Sequence, residues 1–251
     1  MTKTSRRLAP LYSLGLLVVF GAFIELAVRA GWILPNIVAP PSLVFPAFAD
    51  LRANDEIVQP FVVTFIHVVI ATAAAAALGL PFGYFLARNP TFDKAYRGWL
   101  AAAFAAPLVL LYPLFLVFFG RSYFTVVLMS TIVAFVPIAI HARDAFLGVP
   151  PVLLNVGKSF NVDKIQRFRL IELPAAVPTI FIGLRLGVIY ALVNTIGVEF
   201  LIDFGGLGRV VSDLYAFFNI PQMYAEILLI LVVSMVLLWS LDALQRWVRP
   251  Q

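Results

Sequence analysis

The charged residues divide this chain into long uncharged runs, and this division constrains the fold more than any other feature. Four of the runs contain no charge, and two contain one each, Glu25 and Arg185. Because about 20 apolar helical residues cross a hydrocarbon core of about 30 Å, we predict six transmembrane helices in a single membrane domain, residues 1–251. The predicted spans are 8–28, 57–87, 98–120, 122–142, 173–198 and the uncharged run 227–241, which extends in both directions to about 222–246.

The composition supports an all-α, polytopic membrane protein. Of 251 residues, 62% are hydrophobic and 12% are charged, whereas a soluble domain carries about twice that charged fraction. The first apolar run is too long for a cleaved signal peptide, so we expect an uncleaved signal-anchor helix. The chain has no cysteine and two histidines, which excludes disulfides and thiolate sites and argues against a histidine metal site.

The cations are distributed unevenly between the two sides of the predicted spans. If the N-terminus is inside, thirteen lysines and arginines fall in inner segments, and four, namely Arg29, Arg52, Arg121 and Arg209, fall in outer segments. The positive-inside rule therefore predicts that both termini are cytoplasmic. This distribution accounts for the net charge of +5 without a nucleic-acid partner.

The triplet Gly157-Lys158-Ser159 matches the end of a nucleotide-binding P-loop, but its surroundings do not. A P-loop needs a glycine five positions before its second glycine, between a strand and a helix. That position is Val152, and the inner segments are too short for a nucleotide-binding domain. We therefore expect no nucleotide site, no cofactor and no metal in this chain.

The segment 144–173 instead predicts two short amphipathic helices on the inner side. Pro150 and Pro151 suit the start of a helix, whose apolar residues recur at three- and four-residue spacing. Asn161 suits a left-handed turn, and Asp163 can cap a second, basic helix. We expect this second helix to end at Leu173-Pro174, where the fifth span begins.

Five stretches resemble permease subunits of ABC importers, in the branch that transports nitrate, sulfonates and taurine. In the loop, Ile171, Leu173 and Pro174 match the end of the family pattern Glu-Ala-Ala, three residues, Gly, nine residues, Ile-x-Leu-Pro. Asn155 stands at its glutamate position and Asn161 at its glycine position. The other stretches are "LPNIVAPPSLVFPAF" (34–48), "LGLPFGYFLARN" (78–89), "PLFLVFFG" (113–120) and "GLRLGVIYALVNTIGVEFLIDFGGLG" (183–208).

The resemblance implies a type I ABC importer permease in the bacterial inner membrane. Its implied partners are a second copy of the chain, two cytoplasmic ATPase subunits that bind ATP and magnesium, an extracytoplasmic solute-binding protein and membrane lipid. It implies a small organic or inorganic anion, or a vitamin precursor, as substrate. The implied ATPase-coupling residues are Leu153, Leu154, Asn155, Val156, Gly157, Lys158, Ser159, Phe160, Asn161, Lys164 and Arg167. The three cations among them either contact the ATPase or form a solvated face.

Five residues are candidates for the pathway or a gate. Arg185 lies within a span, where an unpaired charge costs at least about 2.5 kcal/mol. It faces an anionic substrate or pairs with Glu199, Glu226 or a backbone carbonyl. His67 is a satisfied core histidine or a substrate ligand. Glu199, Gly205 and Gly208 are candidates for an outer gate, although the glycines also suit a tight turn.

Two other classes of protein are compatible with a polytopic chain. A secondary transporter or channel would work without an ATPase, but we find neither the inverted repeats nor the paired broken helices expected of one. A membrane-embedded enzyme would need clustered acid, base or metal-ligating residues at membrane depth. The two distant histidines and scattered carboxylates do not provide such a cluster, so we predict a subunit without catalytic activity.

Overall fold

A computed structural model describes residues 3–53 and 57–248, and these residues contain helices and no β-strand. A 3-10 turn at Leu108–Leu111 and a π-helical turn at Phe168–Glu172 accompany the α-helices. The α-helices are α1 (Lys3–Arg29), α2 (Pro41–Ala53), α3 (Val58–Arg88), α4 (Pro90–Ala105), α5 (Tyr112–Phe119), α6 (Tyr123–Leu147), α7 (Pro151–Ser159), α8 (Lys164–Arg167), α9 (Leu173–Ile202), α10 (Leu207–Ala216) and α11 (Ile220–Val248).

The helices account for the predicted spans. Within the described residues, four helical stretches are long and apolar enough to cross a membrane, and the bent pair α4–α5 would make a fifth. These stretches correspond to the second, fourth, fifth and sixth predicted spans, and the bent pair corresponds to the third. Helix α1 covers the first predicted span. Each of the six predicted spans is therefore largely helical.

The third span is not the single straight helix that we predicted over residues 98–120. Helix α4 ends at Ala105, and the chain bends by 89° before it continues into α5. The cause is Pro107, because a proline disfavours helical geometry in the residue before it. Ala106 accordingly has an extended ψ of 139°. Pro113 then lies in the first turn of α5, where its missing N–H leaves no hydrogen bond unmade.

Helices α3, α6 and α9 form the core, and small residues bring their backbones close together. Alanines fill much of the contact, with Ala71, Ala134 and Ala191 fully buried. A Cβ atom at Gly83 would lie 2.6 Å from the Ala139 carbonyl oxygen. Gly83 therefore lets α3 lie in close contact with α6.

The segment between α6 and α9 lies at one end of this core, which we call the loop end. The turn between α9 and α10 lies at the opposite end, which we call the far end. At the junction of α1 and α2, Glu25 forms an ion pair with Arg29, with 2.7 Å between Oε1 and Nε. Glu25 also accepts hydrogen bonds from the amide and hydroxyl of Ser42, so it holds the first turn of α2 as well.

Candidate functional site

The Gly-Lys-Ser triplet lies inside helix α7 and not in a phosphate-binding loop. As predicted, α7 begins at the second of two prolines, Pro151. Gly157 is the buried residue of this helix, and a Cβ atom there would lie 2.5 Å from Cδ1 of Ile171. The glycine therefore allows α7 to lie directly against the turn that precedes α9.

The turn after α7 has the geometry that the sequence predicts. Asn161 has a positive φ of 52°, and the amide of Val162 donates to the carbonyl oxygen of Gly157 at 3.2 Å. Asp163 and Gln166 then form a reciprocal capping box, in which the Gln166 amide donates to Asp163 Oδ1 at 2.7 Å. The predicted left-handed turn and the predicted cap of the second helix are both confirmed.

The predicted end of the second helix at Leu173-Pro174 is wrong, because α8 continues into α9 through a π-helical turn. The amide of Leu173 donates to the carbonyl oxygen of Phe168, five residues earlier. Pro174 explains this wider turn, since it has no N–H and its ring clashes with the carbonyl four residues before it. Helix α8 and the fifth span therefore form one continuous helical segment.

Helices α7 and α8 expose an apolar surface at the loop end, which we call the loop face. Leu154 is half-buried, whereas Asn155, Lys158, Ser159 and Lys164 are exposed beside this surface. Arg167 is half-buried and turned inward, so it does not share their exposure. The loop face consists of Val152, Leu153, Val156, Phe160 and Ile165.

Behind the loop face lies a buried carboxylate, Glu172, which sequence reasoning missed. Its side chain is 2% exposed, and Oε2 accepts a hydrogen bond from Nη2 of Arg88, the last residue of α3. Oε1 lies 3.0 Å from Nε of Arg167, without the alignment of a hydrogen bond. Glu172 occupies the variable position of the Ile-x-Leu-Pro pattern, and the basic residues Lys164, Arg167 and Arg169 just before it were the available signal.

Aromatic rings surround this carboxylate and its arginine partner. The guanidinium carbon of Arg88 lies 5.1 Å from the centre of the Tyr84 ring. The Tyr84 ring in turn meets Phe146 and Phe168 edge-on, with centroids at 4.8 Å and 5.1 Å. Residues from α3, α6 and the π-helical turn thus pack together directly beneath the loop.

A second buried carboxylate, Glu199, organises the far end. It is fully buried and accepts hydrogen bonds from the Thr64 hydroxyl at 2.7 Å and the Gly208 amide at 3.2 Å. His67 lies 2.9 Å away through Nδ1. We call Thr64, His67, Glu199, Gly206 and Gly208 the Glu199 cluster.

The glycines of "GGLG" let helix α10 begin directly on this carboxylate. Gly205 has a φ of +92°, and a Cβ atom at Gly206 would lie 1.9 Å from Oγ1 of Thr64. At Gly208 a Cβ atom would lie 2.2 Å from the Ile196 carbonyl oxygen. The first amides of α10 therefore point at Thr64 and Glu199, where the positive end of the helix dipole stabilises a negative charge.

A cavity of about 830 Å³ lies next to the Glu199 cluster, and its wall includes Gly205. Its charged lining consists of two ion pairs. Nη2 of Arg121 lies 2.9 Å from Oδ2 of Asp203, and Nε of Arg209 lies 3.3 Å from Oδ2 of Asp213. We call it the far-end cavity. It brings charges of both signs to the end of the bundle that is opposite the loop.

Arg185 does not join the other pathway candidates. It pairs with Asp242 on α11, at 2.7 Å between Nη1 and Oδ1. The predicted partners Glu199 and Glu226 are therefore wrong, although pairing with a carboxylate is confirmed. Fourteen residues of α9 separate Arg185 from Glu199, which is about 21 Å along a helix. His67, Glu199, Gly205 and Gly208, by contrast, all meet at the far end.

Across residues 3–53 and 57–248, no group of three or more histidine, aspartate or glutamate side chains is placed to hold a metal ion. The buried carboxylates are instead held by arginine, histidine, hydroxyl and amide donors. This arrangement joins helices to one another.

Comparison with known proteins agrees with this architecture. An inward-facing structure of the MetNI methionine ABC transporter superposes with a TM-score of 0.66 at 19% identity, covering 74% of this chain and 93% of that chain. The riboflavin transport system permease protein RibX of Chloroflexus aurantiacus is 26% identical over 92% of this chain and 85% of its own length. The taurine transport system permease protein TauC of Escherichia coli is 26% identical over 73% of this chain and 67% of its own length.

The fold is therefore that of the type I ABC importer permeases, all-helical and multi-pass. Residues 79–251 match the family of binding-protein-dependent transport system inner membrane components, and the chain belongs to this family. It is the permease component of an ABC importer in the inner membrane. Members of this family are not catalytic themselves, and a partner ATPase hydrolyses the ATP.

Proposed function

We propose that this permease forms the pathway for its substrate and is coupled to a separate ATPase through the loop 144–173. The observation that carries the proposal is the loop face, an apolar surface exposed at one end of the bundle and continuous with α9. An exposed apolar patch of this kind is typical of a protein-protein contact. The ATPase would bind ATP and magnesium, and α7 and α8 would act as coupling helices.

The proposed assembly contains two permeases, two ATPases and a solute-binding protein. Both chain termini and the loop face would be cytoplasmic, in agreement with the distribution of cations. The far-end cavity would then open to the outside, where the binding protein delivers the substrate. Closure of the ATPase pair would pull the coupling helices together and rock the helix bundles between inward-facing and outward-facing states.

The substrate that we propose is a small anion, such as a sulfonate, taurine, nitrate or an aromatic acid, or else a vitamin precursor. The taurine, aliphatic sulfonate and riboflavin permeases among the relatives support this range. Arg121 and Arg209 in the far-end cavity would offer cationic groups to an anion, in balance with the acidic partners that hold them in place.

Reconstitution tests the proposal. The permease would be co-expressed with candidate ATPase and binding-protein genes from its genomic neighbourhood, and the complex purified and inserted into liposomes. We expect the ATPase to co-purify and uptake of the binding protein's ligand to require hydrolysable ATP, whereas a non-hydrolysable analogue supports none. A permease that recruits no ATPase and transports after ATP depletion would instead be a secondary transporter or channel.

A further inference from the structure

Helices α3 and α9 are joined at both ends by buried carboxylates from the α9 side. At the far end, Glu199 accepts a hydrogen bond from Thr64 and lies against His67, both on α3. At the loop end, Glu172 accepts a hydrogen bond from Arg88, the last residue of the same helix. Along α3, the two contacts are 21 to 24 positions apart, from His67 and Thr64 to Arg88, or about 32–36 Å.

The loop-end contact, which we call the Glu172 pair, also includes the coupling segment. Glu172 ends the π-helical turn that begins directly after α8, and its Oε1 lies 3.0 Å from Nε of Arg167 on α8. Ile171, its neighbour, packs on Gly157 of α7. Glu172 thus connects α8 with the end of α3, and its neighbour Ile171 adds the contact with α7.

Charge and burial make this connection stiff. A buried carboxylate that loses its cationic partner is left desolvated and uncompensated, so separating the pair is strongly unfavourable. Around Arg88, the packed rings of Tyr84, Phe146 and Phe168 leave little room for an alternative position. By contrast, Lys158 and Lys164 are exposed on the loop and have no comparable anchor to the bundle.

We propose that Glu172 is a positioning residue that makes the coupling helices, α3 and α9 move as one body. Through it, a displacement of α7 and α8 by the ATPase reaches the Glu199 cluster and the wall of the far-end cavity. This inference rests on the proposed function, because it needs an ATPase that moves the loop. In this proposal the Glu172 pair, in addition to the loop face, transmits the displacement of α7 and α8 to the far end.

The first test compares Glu172→Gln with Asp93→Asn in the reconstituted complex. Asp93 of α4 forms an ion pair with Arg143 of α6 at the same end of the bundle, with 2.8 Å between Oδ2 and Nη2. This pair joins α4 to α6 and includes neither of the loop helices. With Glu172→Gln we expect ATPase recruitment and hydrolysis to persist while transport per ATP hydrolysed falls roughly tenfold or more. With Asp93→Asn, transport per ATP hydrolysed should equal that of the unaltered protein.

A double-mutant cycle separates a positioning role from a general loss of stability. If the Glu172 pair transmits the movement, Arg88→Gln lowers transport per ATP as Glu172→Gln does, and the double variant is no worse than either single variant. Additive losses in the cycle would overturn the proposal. The double variant leaves neither member of the pair as an unpaired buried charge, so it provides the coupling ratio even if a single variant fails to assemble.

A reporter at the far end tests transmission directly. The chain contains no cysteine, so Val63→Cys, in the wall of the far-end cavity, supplies the single reactive thiol of the permease. We expect a non-hydrolysable ATP analogue to change its labelling rate with a membrane-impermeant maleimide, and Glu172→Gln to abolish that change. The inference would be overturned if the analogue changed the labelling rate equally with and without the Glu172→Gln substitution. It would also be overturned if the analogue caused no change while Glu172 is present. Failure of ATP-driven uptake in the unaltered complex would instead overturn the proposed function.

Discussion

At the scale of single residues, several glycines are required because neighbouring atoms leave no room for a side chain. Gly206 and Gly208 lie where a Cβ atom would meet Thr64 or the backbone of α9, and Gly157 lies where it would meet Ile171. Asn161 is different, because its φ of 52° and not its surroundings restricts the choice of side chain. Each position tolerates few residues, for a reason that can be tested separately.

Gly206→Ala should destabilise the permease, because its Cβ atom would displace Thr64 and lift the start of α10 from Glu199. We expect a loss of about 1–3 kcal/mol, as for other overpacked sites, seen as a lower thermal midpoint in detergent. Gly98→Ala is the matched control, since nothing lies within 4 Å of a Cβ atom there and alanine favours a helix. Equal midpoints for the two variants would contradict this account of the turn.

Asn161→Gly should retain transport, whereas Asn161→Val should impair assembly with the ATPase. A left-handed conformation costs an ordinary residue about 1–2 kcal/mol, and β-branching adds to the strain. The valine variant would therefore shift the turn that sets α8 against α7. Pull-down of the ATPase by each variant measures the effect, and normal recruitment by Asn161→Val would show that the turn does not require this conformation.

At the scale of elements, prolines rather than apolar pattern decide where helices bend or change pitch. Pro107 turns one predicted span into the α4–α5 pair, and Pro174 produces a π-helical turn where we predicted an end. The second case has a mechanical consequence, because the coupling segment is joined to α9 without a flexible linker. A force on the loop face therefore acts on a transmembrane helix directly.

Phe160→Ala should weaken ATPase binding, because this ring is 78% exposed on the surface that we propose as the contact. Truncating an aromatic contact residue costs at least about 1 kcal/mol when it is an anchor, which is about fivefold or more in affinity. Phe217→Ala is the matched control, an equally exposed ring at 82% in the far-end cavity. Affinity for the ATPase, measured with purified components, should fall in the first variant only.

At the scale of the whole molecule, the two ends of the bundle differ in chemistry. The loop end presents an apolar face beside basic residues, and the far end presents a cavity with charges of both signs. The three core helices α3, α6 and α9 connect these ends through close backbone contact and through the two carboxylates of α9 and its preceding turn. Such an arrangement suits a protein that transfers movement from one side of a membrane to the other.

The proposed orientation predicts opposite labelling of the two ends. Lys158→Cys should react with an impermeant maleimide in inside-out vesicles and remain unlabelled in intact spheroplasts. Phe217→Cys should show the reverse, because it lies at the far end. Each variant carries a single permease thiol, since the chain has no cysteine. Labelling of both positions from the same side would contradict the predicted topology.

The sequence was informative wherever a local rule controls the structure. Asp163 caps α8, Asn161 turns left-handed and Glu25 pairs with Arg29, and each depends on neighbours a few residues away. The candidate gate residues were recognised individually, but their meeting around Glu199 joins positions that are 135 residues apart. Glu172 was missed for the same reason, because its partner Arg88 is 84 residues away.

By itself the sequence determined that the chain is a helical, multi-pass membrane protein and that its loop resembles an ABC permease. Both conclusions follow from the length of apolar runs and from short-range spacing, which act along the chain. Only the tertiary structure decided that Arg185 pairs with Asp242, that "GGLG" seats α10 on a buried carboxylate, and that Glu172 connects the loop with α3. The physical reason is burial: a charge in a low-dielectric interior must find a partner, and packing of the helices determines which one is within reach.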